Sequence, residues 1–433
     1  MAQIEKYPPM YPVRQHFHVP RMEDVTAAVE EQFATFPFPE GLGPGQSVAV
    51  CVGSRGIHDL PHIVAAVVRC FKALGLRPRI IPAMGSHGGA TAEGQAGILR
   101  DLGITESSVG APVVSSMEVV SLGTADSGME LFCARDGLEA DWVVPINRVK
   151  PHTAFRGQVE SGLCKMLAVG LGKQKGASAI HRYGLARAIV PAVRTIMERA
   201  RVLCGLALLE SPSGGIFRMR LVPPERFERV DEEFLQEAWR IFPRLPLEDL
   251  DVLIVDEMGK EISGAGMDPN VIGFWRREGG PRQPDYRILI VLDLSPQSHG
   301  NATGIGLADL TTRRVMDQVD LRATYANALT SGVLRSARLP IAMEDDRSAL
   351  ETALAHAPDP RRVRMARIVN TLRLEAFWVT EALLPDLRGR KNVDIGNEPL
   401  SLRFDGSGRL QPFSSDLLEP VGRGEGAGNS PAS

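Results

Sequence analysis

The chain has 433 residues, more than the roughly 250–300 at which a single hydrophobic core stops growing, so at least two domains are expected and a single small binding module is excluded. Hydrophobic residues make up 44% and charged residues 23% of the sequence, which is ordinary globular usage and excludes wholesale disorder. The net charge of -3 offers no electrostatic footprint for nucleic acid or for an anionic membrane.

The first half of the chain alternates strand and helix patterns. Apolar runs and amphipathic periodicity predict strands at 47–53, 79–84, 141–149 and 202–210 and helices at 61–75, 91–103 and 185–200. Strands that alternate with helices of this length are typical of a parallel sheet covered on both faces. A further helix, at 223–246, is amphipathic and charged, and we expect it to bridge two domains.

The alternation restarts near residue 250. Strong strand patterns and weaker helix patterns follow, with strands predicted at 251–259 and 286–294 and helices at 304–320, 348–357 and 374–388. The predicted class is therefore α/β: two α/β domains with mostly parallel sheets flanked by helices, and a cofactor cleft between them.

The expected domain boundaries follow from this alternation. The first domain is expected at 1–245 and the second at 246–418, with the second closing over the cleft. The last residues, 419–433, are polar and glycine-rich, so we expect them to be disordered.

The sequence carries no targeting or membrane signal. No stretch approaches the ~20 apolar residues of a membrane span, and the N-terminus lacks the apolar core of a signal peptide. The five cysteines form no C-x-x-C pair, so neither a disulfide framework nor a zinc knuckle is indicated. We therefore expect a cytoplasmic protein without a membrane or nucleic-acid partner.

Three loops follow predicted strands directly, at 53–56, 85–89 and 150–153. In an open α/β sheet, ligands bind beyond the carboxyl ends of the strands. Backbone N–H groups of a Gly-Ser-rich loop before a helix can also hold a phosphate. Neither a Walker pattern nor a G-x-G-x-x-G after a strand is present. The sequence therefore does not favour ATP or a dinucleotide as the ligand of these loops.

His87 and His152 are the candidate acid/base residues. Each stands at a predicted strand end, so a parallel sheet would bring both into one crevice. Two converging histidines suit a reaction that handles one proton on opposite faces of a carbon. The alternative for either residue is an ordinary surface-loop histidine.

A lysine and a further histidine follow in apolar, glycine-rich sequence. Burying the ammonium of Lys165 is costly unless it is paired, neutral or covalently used, and the alternative is that its head group extends to solvent. Its neighbour Cys164 is interpreted as a small buried hydrophobe rather than a nucleophile. His181 is either a metal ligand, since imidazole suits nickel, zinc and copper, or a surface residue.

The ordered set His87, His152, Lys165 and His181 resembles that of the lactate racemase superfamily, the nickel-pincer-nucleotide-dependent 2-hydroxyacid racemases and epimerases. The most distinctive stretch is PHTAFRGQVESGLCKMLAVGLGKQKGA, at 151–177. The resemblance implies that Lys165 tethers the cofactor covalently through a thioamide and that His181 is the protein ligand of nickel. It also implies that His87 and His152 are the paired acid/base residues.

The implied cofactor is pyridinium-3,5-bisthiocarboxylic acid mononucleotide with nickel, the nickel-pincer nucleotide. Its single phosphate is expected to contact loop residues, for which the candidates are Ser54, Ser86, Gly88 and Gly89. The implied reaction inverts C2 of a 2-hydroxyacid by proton-coupled hydride transfer to and from this cofactor. The implied partners are the 2-hydroxyacid substrate and the enzymes that make the cofactor.

The candidate substrate-binding residues match the family pattern less closely than the cofactor and acid/base residues do. Arg55 is the candidate for the substrate carboxylate, because a guanidinium offers a permanently charged, bidentate fork, and Lys260, Asn270 and Trp275 are candidates from the second domain. Lactate-specific members carry Ser-Asp-His-Thr-Arg in the first loop, whereas 53–57 reads Gly-Ser-Arg-Gly-Ile. The missing aspartate argues against lactate itself as the substrate.

Two other functions fit part of the pattern. In the first, His87, His152 and His181 bind zinc, which activates water for a hydrolase or lyase. In the second, the chain is a non-catalytic binder of a phosphorylated metabolite that uses only the glycine loops. The isomerase alone uses all four singled-out residues in one mechanism.

Overall fold

A computed structural model describes residues 7–54, 56–125 and 127–413. The chain forms two compact units. The first unit is Val19–Phe242, and the second unit joins the chain up to His18 to the chain from Pro243 onward. The expectation that the first domain begins at residue 1 is therefore corrected, because the strand before Val19 pairs within the sheet of the second unit. The tail expected at 419–433 lies outside the described residues.

Fifteen strands occur in the described chain. In chain order they are β1 (Met10–Gln15), β2 (Ser47–Val52), β3 (Arg77–Pro82), β4 (Val119–Thr124), β5 (Glu130–Ala134), β6 (Trp142–Arg148), β7 (Gly205–Glu210), β8 (Ile216–Val222), β9 (Asp249–Val255), β10 (Asp285–Val291), β11 (Leu310–Thr312), β12 (Ile341–Met343), β13 (Met365–Asn370), β14 (Arg373–Thr380) and β15 (Val393–Ile395). The predicted strands of the first half are confirmed as β2, β3, β6 and β7, with boundaries shifted by one to three residues.

Fifteen α-helices accompany them. They are α1 (Val25–Thr35), α2 (Leu60–Ala73), α3 (Ala92–Asp101), α4 (Glu106–Val109), α5 (Arg135–Leu138), α6 (Gly162–Lys165), α7 (Lys173–Tyr183), α8 (Leu185–Arg199), α9 (Phe227–Ile241), α10 (Pro269–Ile272), α11 (Trp275–Glu278), α12 (Arg313–Gln318), α13 (Leu321–Ser331), α14 (Asp346–Ala355) and α15 (Leu384–Leu387). A π-helical turn at Met166–Gly170 follows α6 directly and lies two residues before α7. Such turns occur frequently at functional sites.

The sheet of the first unit has the order β3-β2-β6-β7-β8. Its first four strands are parallel, and only β8 pairs antiparallel. Alternate residues of β2 face opposite sides: Val48 and Val50 pack with α1 and α2, whereas Ala49 and Cys51 join the core formed with α7, α8 and α9. Because both faces are covered, the strands read as continuous apolar runs.

The sheet of the second unit has the order β12-β11-β10-β9-β13-β14-β1-β15. Its strands from β12 to β13 are parallel, and β14, β1 and β15 extend it antiparallel. Both units therefore carry largely parallel sheets with flanking helices, and the predicted α/β class is confirmed. Within the described residues, none of the helices combines the length and the apolar character needed to cross a bilayer.

Two helix predictions in the second unit are wrong. Residues 374–388 form the strand β14 and the short α15, because the aromatic and β-branched run at Phe377–Val379 fills a place between β13 and β1. Residues 304–320 contain the parallel strand β11 before α12 begins. In both cases a short apolar run fits helical periodicity as well as a buried strand.

The helix predicted to bridge two domains is instead part of the first unit. On α9, Phe227, Val230 and Phe234 are buried in the core beneath the sheet. Asp231 on the same helix is fully buried, and its two carboxylate oxygens accept the backbone N–H groups of Leu163 at 3.0 Å and Cys164 at 2.8 Å. These donors belong to the first turn of α6, where a helix leaves its N–H groups unpaired.

Gly162 makes this close approach possible. Its φ is +88°, and a Cβ there would lie 2.1 Å from Oδ1 of Asp231, so the position requires glycine. Burial raises the pKa of Asp231 to about 7, and the hydrogen bonds from α6 partly oppose this rise.

We expect Asp231→Asn to lower the free energy of unfolding by about 1–3 kcal/mol, because its amide NH2 would face a backbone N–H and leave it unsatisfied. Urea denaturation measures this, and Glu232→Gln, on the same helix and in contact with Gln158 at the surface, should change stability by less than about 0.5 kcal/mol. The folded pKa of Asp231 lies above the ordinary value, so its contribution is fully present at low pH and is lost as the pH rises towards 7. The cost of Asp231→Asn should therefore be larger at pH 5 than at pH 8, and equal costs would contradict the raised pKa.

Candidate functional site

The loops that carry the candidate histidines lie at one edge of the first unit's sheet. The strands β3, β2 and β6 are parallel neighbours, so the segments that follow their carboxyl ends are adjacent. His87 lies in the loop after β3 and His152 in the loop after β6. The structure thus places both at the edge where open α/β sheets bind ligands.

His87 is exposed, and its ring is held by the loop after β2. The hydroxyl of Ser54 shares a hydrogen bond with Nδ1 of His87. Because a hydroxyl can donate or accept, this contact permits either neutral tautomer of the imidazole. When Nδ1–H donates to Ser54, the neutral ring carries no proton on Nε2, which is then its basic nitrogen.

A buried pair lies behind the His87 loop. Gln95 on α3 is fully buried, and its Nε2 donates to the carbonyl oxygens of Gly85 at 2.9 Å and His87 at 3.3 Å. Lys173, at the start of α7, is also fully buried, and its Nζ donates to Oε1 of Gln95 at 2.9 Å and to the Pro82 carbonyl at 2.7 Å. Together they fix the end of β3 and the backbone of the His87 loop.

Lys173 is unusual in two further respects. Its φ is +54°, a conformation that is strained for a residue with a side chain. Burial lowers its pKa to about 8, since a buried ammonium loses its hydration. A strained, buried lysine in this place indicates that the loop it supports needs a defined geometry.

His152 is held through a buried carboxylate. Glu160 is 2% exposed and accepts the backbone N–H of His152 at 2.7 Å. The ring of His152 accepts a hydrogen bond at Nδ1 from the Ala154 backbone N–H at 3.1 Å and lies 4.4 Å from the Phe155 ring, centroid to centroid. With Nδ1 accepting, the neutral ring carries its proton on Nε2.

Lys165 is the last residue of α6 and is half-buried. Its Nζ lies 5.9 Å from the centroid of the Phe155 ring, so Lys165 and His152 flank the same aromatic side chain. The π-helical turn that follows is tied to the His87 loop, because the Gly85 N–H donates to the Gly170 carbonyl at 3.1 Å. One continuous segment therefore connects Lys165 with both histidine loops.

His181 lies near the end of α7 with an exposed side chain. Partial desolvation and then the positive charge of Lys165 lower the pKa of His181. A lowered pKa favours the neutral imidazole, which is the form that binds a metal ion.

The loop residues expected to hold a phosphate have mixed surroundings. Ser54 is engaged with His87, and Gly88 packs so tightly that a Cβ would lie 2.6 Å from the backbone of α3. Gly89, with a φ of +65°, borders open space, and Ser86 is half-buried beside it. Arg55, the candidate for the substrate carboxylate, lies outside the described residues.

The candidates from the second unit each make hydrogen bonds to other residues of that unit. Lys260 Nζ donates to the Gly264 carbonyl at 2.6 Å and to Asn327 Oδ1 at 2.7 Å. The Asn270 N–H is capped by the Asp268 side chain, and Trp275 Nε1 donates to the Pro284 carbonyl at 2.9 Å. Their part in substrate binding stays a prediction.

Among the described residues, no group of three or more histidine, cysteine, aspartate or glutamate side chains is arranged to hold a metal ion. His87, His152 and His181 are therefore not assembled as a three-histidine centre. The zinc hydrolase or lyase suggested by the sequence gains no support from this arrangement.

No protein-family model matches the chain, and no curated protein matches it in sequence. Among solved structures it is similar to the lactate racemase apoprotein from Thermoanaerobacterium thermosaccharolyticum, with a TM-score of 0.51 and 13% identity over 83% of this chain and 94% of that chain. The chain has the lactate racemase fold. The fold implied by the sequence resemblance is thereby confirmed.

Within the lactate racemase fold, four buried residues at this site escaped the sequence analysis as supporting groups: Gln95, Glu160, Lys173 and Asp231. Gln95, Glu160 and Lys173 lie in apolar or glycine-rich stretches, and that contrast is a signal in the sequence, since a buried polar side chain must find a partner. Asp231 lies among other charged residues and gives no such signal. The partners themselves come from distant parts of the chain.

We expect Gln95→Leu to increase the mobility of the His87 loop specifically. The carbonyl groups of Gly85 and His87 would lose their hydrogen-bond donor, and Lys173 would lose an acceptor. Amide hydrogen exchange should rise several-fold at 83–91 and stay unchanged at 149–153, which Glu160 supports independently. Gln174→Leu, an exposed position beside Lys173, is the control. A uniform rise across the first unit would instead indicate general destabilisation.

Proposed function

We propose that this protein is an isomerase, a racemase or epimerase that inverts C2 of a 2-hydroxyacid by proton-coupled hydride transfer. The observation that carries the proposal is that Lys165 and His152 flank the Phe155 ring while the segment after Lys165 is hydrogen-bonded to the His87 loop. The lactate racemase fold supports it independently. No observation on the first unit favours hydrolysis or passive binding over this reaction.

The residues present fit a nickel-pincer nucleotide. The half-buried amine of Lys165 is the tethering group, and the neutral imidazole of His181 is a suitable nickel ligand. The open space at Gly89 and the hydroxyl of Ser86 would receive the phosphate. When bound, this group supplies a hydride acceptor and donor for the substrate Cα.

The chain's own residues handle the hydroxyl proton. His87 is exposed at the sheet edge, and Nε2 takes this proton when Nδ1–H donates to Ser54. An imidazole side chain can both accept and return a proton at neutral pH.

His152 serves the opposite enantiomer. Because Nδ1 accepts from the Ala154 N–H, its Nε2–H would donate a hydrogen bond to a substrate oxygen. It exchanges a proton at Nε2 only after that bond to Nδ1 is released. Glu160 keeps the loop backbone in place during this change.

The substrate is proposed to be a 2-hydroxyacid other than lactate, since the first loop lacks the aspartate of lactate-specific members. Arg55 in that loop is the proposed partner of the carboxylate. The fixed fork of a guanidinium would hold both carboxylate oxygens and so orient the C2 hydrogen.

Co-expression with the enzymes that make the nickel-pincer nucleotide tests the cofactor site. We expect a covalent mass adduct and bound nickel in the wild type, loss of the adduct in Lys165→Ala, and loss of nickel in His181→Ala. Lys175→Ala is the matched control, because this lysine stacks on Phe132 instead. A wild type with neither adduct nor nickel, in a host that modifies a known family member, would sink the proposal.

The roles of the two histidines are tested on the same modified protein. We expect His87→Ala and His152→Ala each to lower racemisation of a 2-hydroxyacid panel, followed by chiral chromatography, at least about a hundredfold. Both variants should keep the adduct and the nickel. His62→Ala, whose side chain is 75% exposed on α2, should retain full activity, and undiminished racemisation in either test variant would refute the assigned roles.

A further inference from the structure

A buried arginine in the second unit is only partly paired. Arg277 is in α11 and only 4% exposed. Its Nη1 has no hydrogen-bond partner among the described residues, and its Nε faces only the Glu278 carboxylate, at 3.5 Å and without hydrogen-bond geometry. Burial lowers the pKa of the guanidinium, and the charges of Glu278 and then Asp268, which does not line the cavity, partly offset this. A buried charge without hydrogen-bonded partners is costly, so the site is incomplete as it stands.

Arg277 is also one of the residues that line a cavity of about 320 Å³. The cavity is bordered by two further arginines, Arg335 and Arg338, which are exposed. Three guanidinium groups against the single carboxylate of Glu278 leave an excess of two positive charges at one cavity. Guanidinium forks match the oxygens of phosphate groups bidentately.

The remainder of the wall is apolar or backbone. Val333 and Leu334 contribute aliphatic side chains, and Gly332 contributes only main chain. The cavity is several times larger than a phosphate group, so it leaves space for an organic portion against Val333 and Leu334.

We propose that this cavity binds a small organic phosphate, with Arg277, Arg335 and Arg338 holding the phosphoryl group and Val333 and Leu334 contacting the organic part. The two negative charges of a phosphate monoester match the excess of two positive charges. All of these residues belong to the second unit, and the inference does not depend on the proposed isomerase activity.

Calorimetric titration of the full chain at constant ionic strength tests the ligand class. We expect glycerol 2-phosphate to bind at one site and inorganic phosphate to bind the same site at least about tenfold more weakly, because it lacks the organic portion. Equal or tighter binding of inorganic phosphate would overturn the organic part of the assignment. Tighter binding of malonate would overturn the phosphoryl part, and the absence of any binding beyond chloride would overturn the site.

Variants then locate the site. Arg277→Met should weaken glycerol 2-phosphate binding at least about tenfold, since a hydrogen bond to a charged group is lost. If Arg277→Met does not fold, the double variant Arg335→Ala/Arg338→Ala changes only exposed side chains and should weaken binding to a similar degree. Arg282→Ala, 59% exposed and stacked on Trp275 outside the cavity, should bind normally. Unchanged binding in both the Arg277 variant and the double variant would refute the location.

Discussion

The site of the first unit depends on one buried carboxylate. Asp231 accepts the two backbone N–H groups with which α6 begins, and its complete burial is tolerable because those donors are there. The contact sets where α6 starts, and therefore where its last residue, Lys165, points. A helix of four residues has little intrinsic stability, so this tertiary contact, rather than helix propensity, holds Lys165 at the sheet edge.

Three candidate residues share one arrangement, in which an accessible side chain is positioned by a buried one. His87, His152 and Lys165 are exposed or half-buried, whereas the side chains that place them are buried. Gln95 supports the first, Glu160 the second and Asp231 the third. Reactive groups thus keep access to a ligand while buried hydrogen bonds fix the backbone that carries them, which is how a site is preorganised without closing it.

Much of this arrangement could be predicted from the sequence, because parallel β/α alternation places the loops after β3 and β6 at one edge. The supporting contacts could not be predicted, since Gln95 meets Lys173 and Asp231 meets α6 only through tertiary packing. The failure at β14 has another cause. Phe377–Val379 is a short apolar run whose neighbours β13 and β1 lie far away in the chain, and local periodicity carries no information about them.

The electrostatics of Lys165 and His181 connect structure to chemistry most directly. Two causes lower the pKa of His181. The first is partial desolvation by the surrounding chain, and the second is the positive charge of the Lys165 amine. Acylation of that amine removes the second cause and leaves the first. The imidazole then becomes a more basic donor, while desolvation still favours its neutral form. Under the proposed function, a covalent change at Lys165 would therefore make His181 a more basic ligand.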